Sequence, residues 1–449
     1  MDLNLAPIKK IENHFQNWSL LSVEERKKQI QERKNHVSVF SEYGNLKKIL
    51  LHAPGLEVER MSPENIEKFL FNGIVHQKKI EKGFFEFKSI LSLVAKVYEL
   101  KSVLSDLFTY EELKHKILKK ILFLENKENL FSELSSCNAQ ELSQVLISGY
   151  QVNPKSLEDY LIEDDFALNP LPNTYFMRDT SVIVGNFVTT TRMTHACRSR
   201  ETYLLKSIFE YHPDFLNCGQ IIDEKIHSKD PQYCIEGGDI AVASKDIIII
   251  GKSERTSAKA IDEFIDGYYK KRLEIGDKTP FDIIAVMVPP EKNMIHLDMI
   301  FSITGPNHAV IYEPYILGKH KVRVVRIHVN SHGEKKFHDE PGLLECLKKL
   351  KMNLSPIFCG GNSPLYQTRE QWTSGSNIFA FGPNRVLSYE NEHTLKNFEK
   401  EGFAVYSAEQ VLKSTQLLNS EMIVVSFDGS ELARGGGGPR CMTCPLQRE

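Results

Sequence analysis

At 449 residues, with 41% hydrophobic and 26% charged residues, the chain has the composition of a globular protein long enough to bury a substantial core. Lys+Arg 56 against Asp+Glu 59 gives a net charge of -3, without the basic excess of a nucleic-acid or anionic-membrane binder. Apolar runs such as DIIIIG and DIIAVMVPP fall far short of the roughly 18 residues of a membrane span, and MDLNLAPIKKIENHF lacks a secretory apolar core, so a soluble cytoplasmic protein is expected.

Residues 1–36 are polar and lysine-rich (SVEERKKQIQERKNH) and predict a helical extension. From Glu42 the texture changes: YGNLKKILLHAPG reads as a short strand closed by a Pro-Gly turn. Over 76–150, apolar residues recur at helical spacing in FFEFKSILSLVAKVYELKSVL, ELKHKILKKILFL and AQELSQVLISGY, which predicts an all-helical block.

Beyond it a pattern repeats. TSVIVGNFVTTTR precedes the helix RETYLLKSIFEYH, and DIAVASKDIIIIG precedes SAKAIDEFIDGYY and the strand FDIIAVMVP. DMIFSITGPNHAVIYEP and NIFAFGPNRVLSYE are further hairpins, the latter followed by HTLKNFEKEGF, AVYSA and EMIVVSF. The turns fall at GN, SKD, GPN and GPN. With the KKILLHAP strand this makes about five ββαβ-like units, none able to bury its own apolar face. Closed into a ring, they would bring distant residues to one axial pocket.

Four places carry charge where apolar residues are expected. LPNTYFMRDT holds Asn173, Arg178 and Asp179; in CIEGGDI, Glu236 and Asp239 flank a glycine bend. In MIHLDMIF, strand geometry would put His296 and Asp298 on one face. The fourth is the tail, ELARGGGGPRCMTCPLQRE, where four glycines precede Cys441. Taken singly, these read as a surface ion pair, a turn, a hydrogen-bonded core histidine and an inert thiol. Together they read differently. A cysteine nucleophile needs a base, which His296 could supply, and carboxylates around a thiol disfavour its ionisation unless the substrate brings positive charge. Paired carboxylates suit a guanidinium. The side-chain-free glycines would let the tail approach a ligand closely.

The remaining cysteines are scattered, and no disulfide framework is expected among the eight. Cys441-Met-Thr-Cys444 has CxxC spacing but no second Cys/His pair for zinc, and it lies too near the end of the sequence for a strand–CxxC–helix redox motif.

NTYFMRD, RSRET (198–202 within it), IEGGD, ERTS, HLD, REQW with GSN, and GGPRCMTCP resemble, in order, the motifs of arginine deiminase, a guanidino-group-modifying family. The resemblance runs from about Ser41 to Glu449. It implies an α/β fold, a five-bladed ββαβ propeller of pentein type over 37–449, with residues 76–150 as the helical insertion. It also implies hydrolysis of L-arginine to L-citrulline and ammonia with no metal or cofactor. The substrate would be the small-molecule partner, with neither nucleic acid nor membrane, in a homo-oligomeric assembly. By position, Asp179 and Asp298 would hold the guanidinium, Cys441 would attack it, and His296 with Glu236 would move protons. Arg198 and Arg255 would bind the substrate carboxylate, Asn173 would position the main-chain end, and Phe176 would pack on the substrate.

Three positions depart from the family pattern. Gly436 stands where the tail carries an arginine, Ser374-Gly375 replaces an Asp-Gly, and Asn72-Gly73 replaces an Asp-Asp. The alternatives are an arginine dihydrolase, a deiminase of another guanidino compound, or a non-catalytic relative acting as a binding protein.

Overall fold

The computed structural model describes residues 37–151, 157–160, 166–215, 219–222 and 233–449; the expected extension over 1–36 lies outside them. Four of the described sheets contain one plan, an antiparallel strand pair with a third strand added in parallel after a helix, and a fifth approximates it. Ile240–Ser244 pairs with Ile247–Lys252, helix Ala258–Glu274 follows, and Phe281–Met287 returns parallel to the second strand. The same plan joins Phe301–Ile303, His308–Ile311 and Ser355–Phe358. It recurs in Phe379–Gly382, Arg385–Tyr389 and Ile423–Phe427. In Ser181–Val184 with Phe187–Thr190, helix Ser199–Tyr211 follows and the third position is a single parallel bridge, Val188 to Gln220.

The hairpin turns lie where the sequence puts them. Gly185 (φ 61°) and Asn384 (φ 55°) adopt the left-handed conformation that such tight turns require. The unit that begins at Ile240 is widened by a further hairpin, Val324–Val329 with Lys335–Glu340, whose first strand pairs antiparallel with Phe281–Met287.

The remaining unit joins the two ends of the sequence. Leu46–Leu51 takes as its antiparallel partner Cys444–Arg448, with Leu50 opposite Cys444. Its parallel third strand is Lys96–Glu99, reached through helix Gln77–Val94. This corrects the all-helical reading of 76–150. Four residues of strand are too short to interrupt a helical apolar rhythm, so the sequence pattern conceals them. The added helices are Leu100–Phe108, Glu111–Leu124, Phe131–Leu134 and Ala139–Ser148, which share a core with helix Ser199–Tyr211.

Apolar faces of sheets and helices close into four buried clusters. Polar groups concentrate elsewhere, in the turn that precedes the first strand of each unit. Those turns are Met177–Thr180 before Ser181, Gly237–Asp239 before Ile240, Leu297–Met299 before Phe301, 373–376 before Phe379, and 439–442 before Cys444. His296 and Asp298 therefore flank and occupy a 3-10 turn and do not share the face of a strand.

Candidate active site

The five turns deliver Asp179, Glu236 with Asp239, His296 with Asp298, Asn377 and Cys441, all buried. The tail explains its own glycines. A Cβ on Gly437 would lie 2.6 Å from the Phe176 ring and 2.9 Å from Cys441 Cβ, and one on Gly438 would lie 2.7 Å from Asn377 Cβ. Backbone must pass where side chains cannot, and the pairing of Cys444–Arg448 then fixes the turn that carries Cys441.

Cys441 Sγ lies 3.6 Å from Asp298 Oδ2 and accepts from Asn377 Nδ2 at 3.1 Å, while the Cys441 amide donates to Asn377 Oδ1 at 3.0 Å. Asp298 Oδ2 also accepts from Arg440 at 2.8 Å, and Arg440 is forked onto Glu42. On the other side Asp179 Oδ2 accepts from Arg198 at 2.6 Å, and Arg198 is forked onto Glu201. His296 Nε2 lies 3.0 Å from Glu236 Oε2, and its Nδ1 lies 3.7 Å from Asp179 Oδ1. Asp179 Oδ1, Asp298 Oδ1 and His296 Nδ1 are buried without a hydrogen-bond partner. Each such group costs about 1–3 kcal/mol when left unmade, so the site is poised to receive donors.

The charges follow from this packing. Burial, then the negative charges of Asp298 and Asp179, push the Cys441 thiol well above the usual range. Burial opposes protonation of His296, but Asp179, the hydrogen bond to Glu236 and Asp239 outweigh it and raise its pKa to about 9. Glu236 also loses solvation, yet Arg255 and His296 hold it down at about 2. Asp239 is pushed up to about 6 by burial; its carboxylate accepts from Ser253 and from the Leu297 amide, tying the HLD turn in place. Gly238 completes that contact, since a Cβ there would lie 2.4 Å from His296 Nδ1.

A cavity of about 540 Å³ opens onto Asp179 and Cys441, and Asn173, Phe176, Arg198, Arg255, Lys292, Trp372 and Gly435 to Gly437 are among its walls. Arg198 reaches it with its guanidinium already committed to two carboxylates and to the carbonyls of Asn173 and Phe176. Arg255 is more lightly held, 3.4 Å from Glu236. Asn173 donates to the Phe69 carbonyl, and Phe176 packs against Tyr175. Asp179, Glu236 and His296 offer ligand atoms within 4.8 Å of one another. A cation there would have to displace the proton that these carboxylates hold on His296 and face Arg255.

Asn377, Glu42, Arg440 and Glu201 join the site beyond the residues that the sequence singles out. Asn377 was visible in GSN and Arg440 beside Cys441, but their roles rest on contacts across 64 and 142 positions of sequence. Glu42 carries no local signal at all.

A model of the family described as arginine deiminase matches residues 67–448. The chain is 30% identical over 431 residues to an arginine deiminase of Limosilactobacillus reuteri, covering 92% of this chain and 98% of that protein. It is 31% identical over 440 residues to an arginine deiminase of Borrelia garinii subsp. bavariensis, again covering 92% and 98%. Among solved structures, the amidinotransferase SxtG of Microseira wollei aligns with a TM-score of 0.48 at 14% identity, over 92% of this chain and 97% of that one.

Proposed function

We propose, from the premise that this chain belongs to the arginine deiminase family, that it hydrolyses L-arginine to L-citrulline and ammonia through a covalent cysteine intermediate. One observation carries the chemistry. Two buried aspartates, each with one unpartnered oxygen, border a buried cysteine and a histidine–glutamate pair. A planar cation with several N–H donors satisfies both oxygens at once.

In this reading the guanidinium lies between Asp179 and Asp298, and its charge offsets the carboxylates that hold the Cys441 proton in place. As the guanidinium binds, the Cys441 proton passes to solvent, and the thiolate adds its sulfur to the central carbon. Protonated His296 gives its proton to the departing nitrogen; the C–N bond breaks and ammonia leaves, so a thiouronium-type adduct remains. His296, now neutral and held by Glu236, takes a proton from water, whose oxygen adds to the same carbon. Collapse breaks the C–S bond, the hydroxyl proton passes to the solvent with the ammonia, and citrulline and the thiolate are freed. Asn377 stabilises the sulfur in both half-reactions. Arg198 and Arg255 are assigned to the substrate carboxylate, Asn173 to the main-chain end and Phe176 to the aliphatic stem. Arg255, with the fewer commitments, carries more of the carboxylate contact.

The same proposal arranges the five units as the blades of a propeller, their pre-strand turns facing the axis, with 37–449 as the catalytic body and the helices from Leu100 to Ser148 as the insertion. Among the described residues no helix is long and apolar enough to cross a membrane; a cytoplasmic homo-oligomer is part of the proposal.

Incubation with L-arginine should yield equimolar citrulline and ammonia, and acid quenching should trap substrate mass on Cys441. Ornithine among the products would move the assignment to a dihydrolase. No turnover of arginine beside turnover of another guanidino compound would move it to a different substrate.

A further inference from the structure

The two guanidinium-facing aspartates are supported in the same way from unrelated parts of the sequence. Behind Asp179 stands Arg198, forked onto Glu201. Behind Asp298 stands Arg440, whose Nη1 donates to Asp298 Oδ2 at 2.8 Å and whose Nε and Nη2 fork onto Glu42 at 3.0 and 3.1 Å. In both cases the arginine takes Oδ2 and leaves Oδ1 without a hydrogen-bond partner. Glu42 reaches this place from outside the five turns, 398 positions from Arg440.

Its surroundings make it more than a packing residue. Glu42 is 5% exposed, and its Oε1 also accepts the Val242 amide. Two other buried arginines lie under its influence, Arg178 and Arg448. Among the described residues the Arg178 guanidinium has one hydrogen bond, to Thr443 Oγ1, and an unpartnered Nε; that of Arg448 donates to the carbonyls of Gly44 and Ala380. Neither has a carboxylate at ion-pair distance among the described residues. Glu42 is thus the counter-charge that holds the Arg440 fork turned away from the nucleophile.

We propose that Glu42 is a positioning residue for the reaction, acting through Arg440 to keep Asp298 Oδ1 open to the substrate guanidinium and to set the charge beside Cys441. Without it, the freed Nε and Nη2 of Arg440 swing onto Asp298 and occupy the oxygen the substrate needs. The inference rests on the arginine reading above. One of its readouts, alkylation of Cys441, needs no substrate and so fails separately from that reading.

The test is Glu42→Gln, with Glu42→Asp as the conservative variant, once the unaltered protein has been shown to form citrulline. In folded Glu42→Gln, KM for arginine should rise about tenfold or more with kcat much less changed. The uncompensated Arg440 charge should lower the pH midpoint of Cys441 alkylation by iodoacetamide by about one unit. Cys441 is faced there by Asp298, Asp179, Asn377 and Arg440. Glu42→Asp should recover part of both effects. A merely structural residue would change the melting temperature and move neither readout, and that result would overturn the proposal. If Glu42→Gln does not fold, Arg440→Lys decides: it keeps the charge but cannot bridge two carboxylates, so KM should rise by a similar factor. An unchanged KM in folded Arg440→Lys would overturn the proposal equally.

Discussion

Asn377 grips Cys441 twice, donating from Nδ2 to the sulfur at 3.1 Å and accepting the Cys441 amide on Oδ1 at 3.0 Å. The pair ties two turns of the fold together and aims a side-chain donor at the sulfur. A hydrogen bond to a charged group contributes about 1.5–3 kcal/mol, or roughly 10- to 150-fold in rate. Asn377→Ala should therefore lower kcat/KM by about that factor and raise the pH midpoint for Cys441 alkylation. A folded Asn377→Ala with unchanged kinetics would show that the contact only packs the tail.

The two cysteines of the tail should separate cleanly. Cys441→Ser should abolish turnover in a folded protein, because a serine hydroxyl is too weakly acidic to be ionised beside Asp179 and Asp298. Cys444 is fully buried opposite Leu50, its sulfur 3.5 Å from Ser181 Oγ, and it takes no part in the cavity. Cys444→Ser should retain most activity and lose stability, by about 1 kcal/mol. Chelators should leave the rate unchanged. Equal loss of activity in both variants would point to a paired role for the cysteines.

His296 sets the pH behaviour. Its pKa is raised from 6.5 to about 9 in the folded protein. Its stabilising contribution is therefore complete below 6.5 and is lost as pH rises through about 9. Glu236 works in the opposite direction: held near 2 against an ordinary 4.5, it contributes fully above 4.5 and is lost as pH falls through about 2. Denaturant midpoints measured across pH should fall on both sides, and the alkaline decline should flatten in His296→Asn. The rate should share the alkaline limit, since only protonated His296 can release ammonia. A kcat/KM that keeps rising above pH 10 would remove His296 from the proton-donor role.

The hairpins were legible because glycine, asparagine and proline punctuate apolar runs at Gly185-Asn186 and Pro383-Asn384, and local steric preference decides such turns. The meeting of Asp179, Glu236, His296, Asp298 and Cys441 was legible because charge interrupts apolar sequence there. What stayed hidden depends on distance. Nothing in KKILL announces a partner at Cys444–Arg448, and nothing in SEYGN marks Glu42 as buried counter-charge to Arg440. Pairing across the whole chain is chosen by competing surfaces, and a single sequence records only each surface's local pattern. His296 and Asp298 were grouped correctly for an incorrect reason: a 3-10 turn, and not a pleated strand, presents them.

Gly436 offers the final prediction. It occupies the place where the family pattern has arginine, on the cavity wall, in a left-handed conformation with φ 88°. A Cβ built there meets only Asn72 Nδ2, at 3.9 Å, so the first atom of a side chain would enter open cavity. Neither Arg434 nor Arg440 has filled it. Arg434 is half exposed and paired with Glu431, while Arg440 is turned to Glu42 and Asp298. Gly436→Arg should cost about 1–3 kcal/mol of stability, because a side chain disfavours the left-handed backbone. Against that, a new charge-assisted bond to the substrate carboxylate contributes about 1.5–3 kcal/mol. KM for arginine should then fall roughly 10- to 150-fold with kcat little changed, the signature of recovered ground-state binding. An unchanged KM in a folded variant would show that Arg255 or Lys292, both on the same wall, already holds the carboxylate. Loss of arginine turnover without loss of fold would show that the open wall is part of the site, shaped for a guanidino compound bulkier than arginine at its main-chain end.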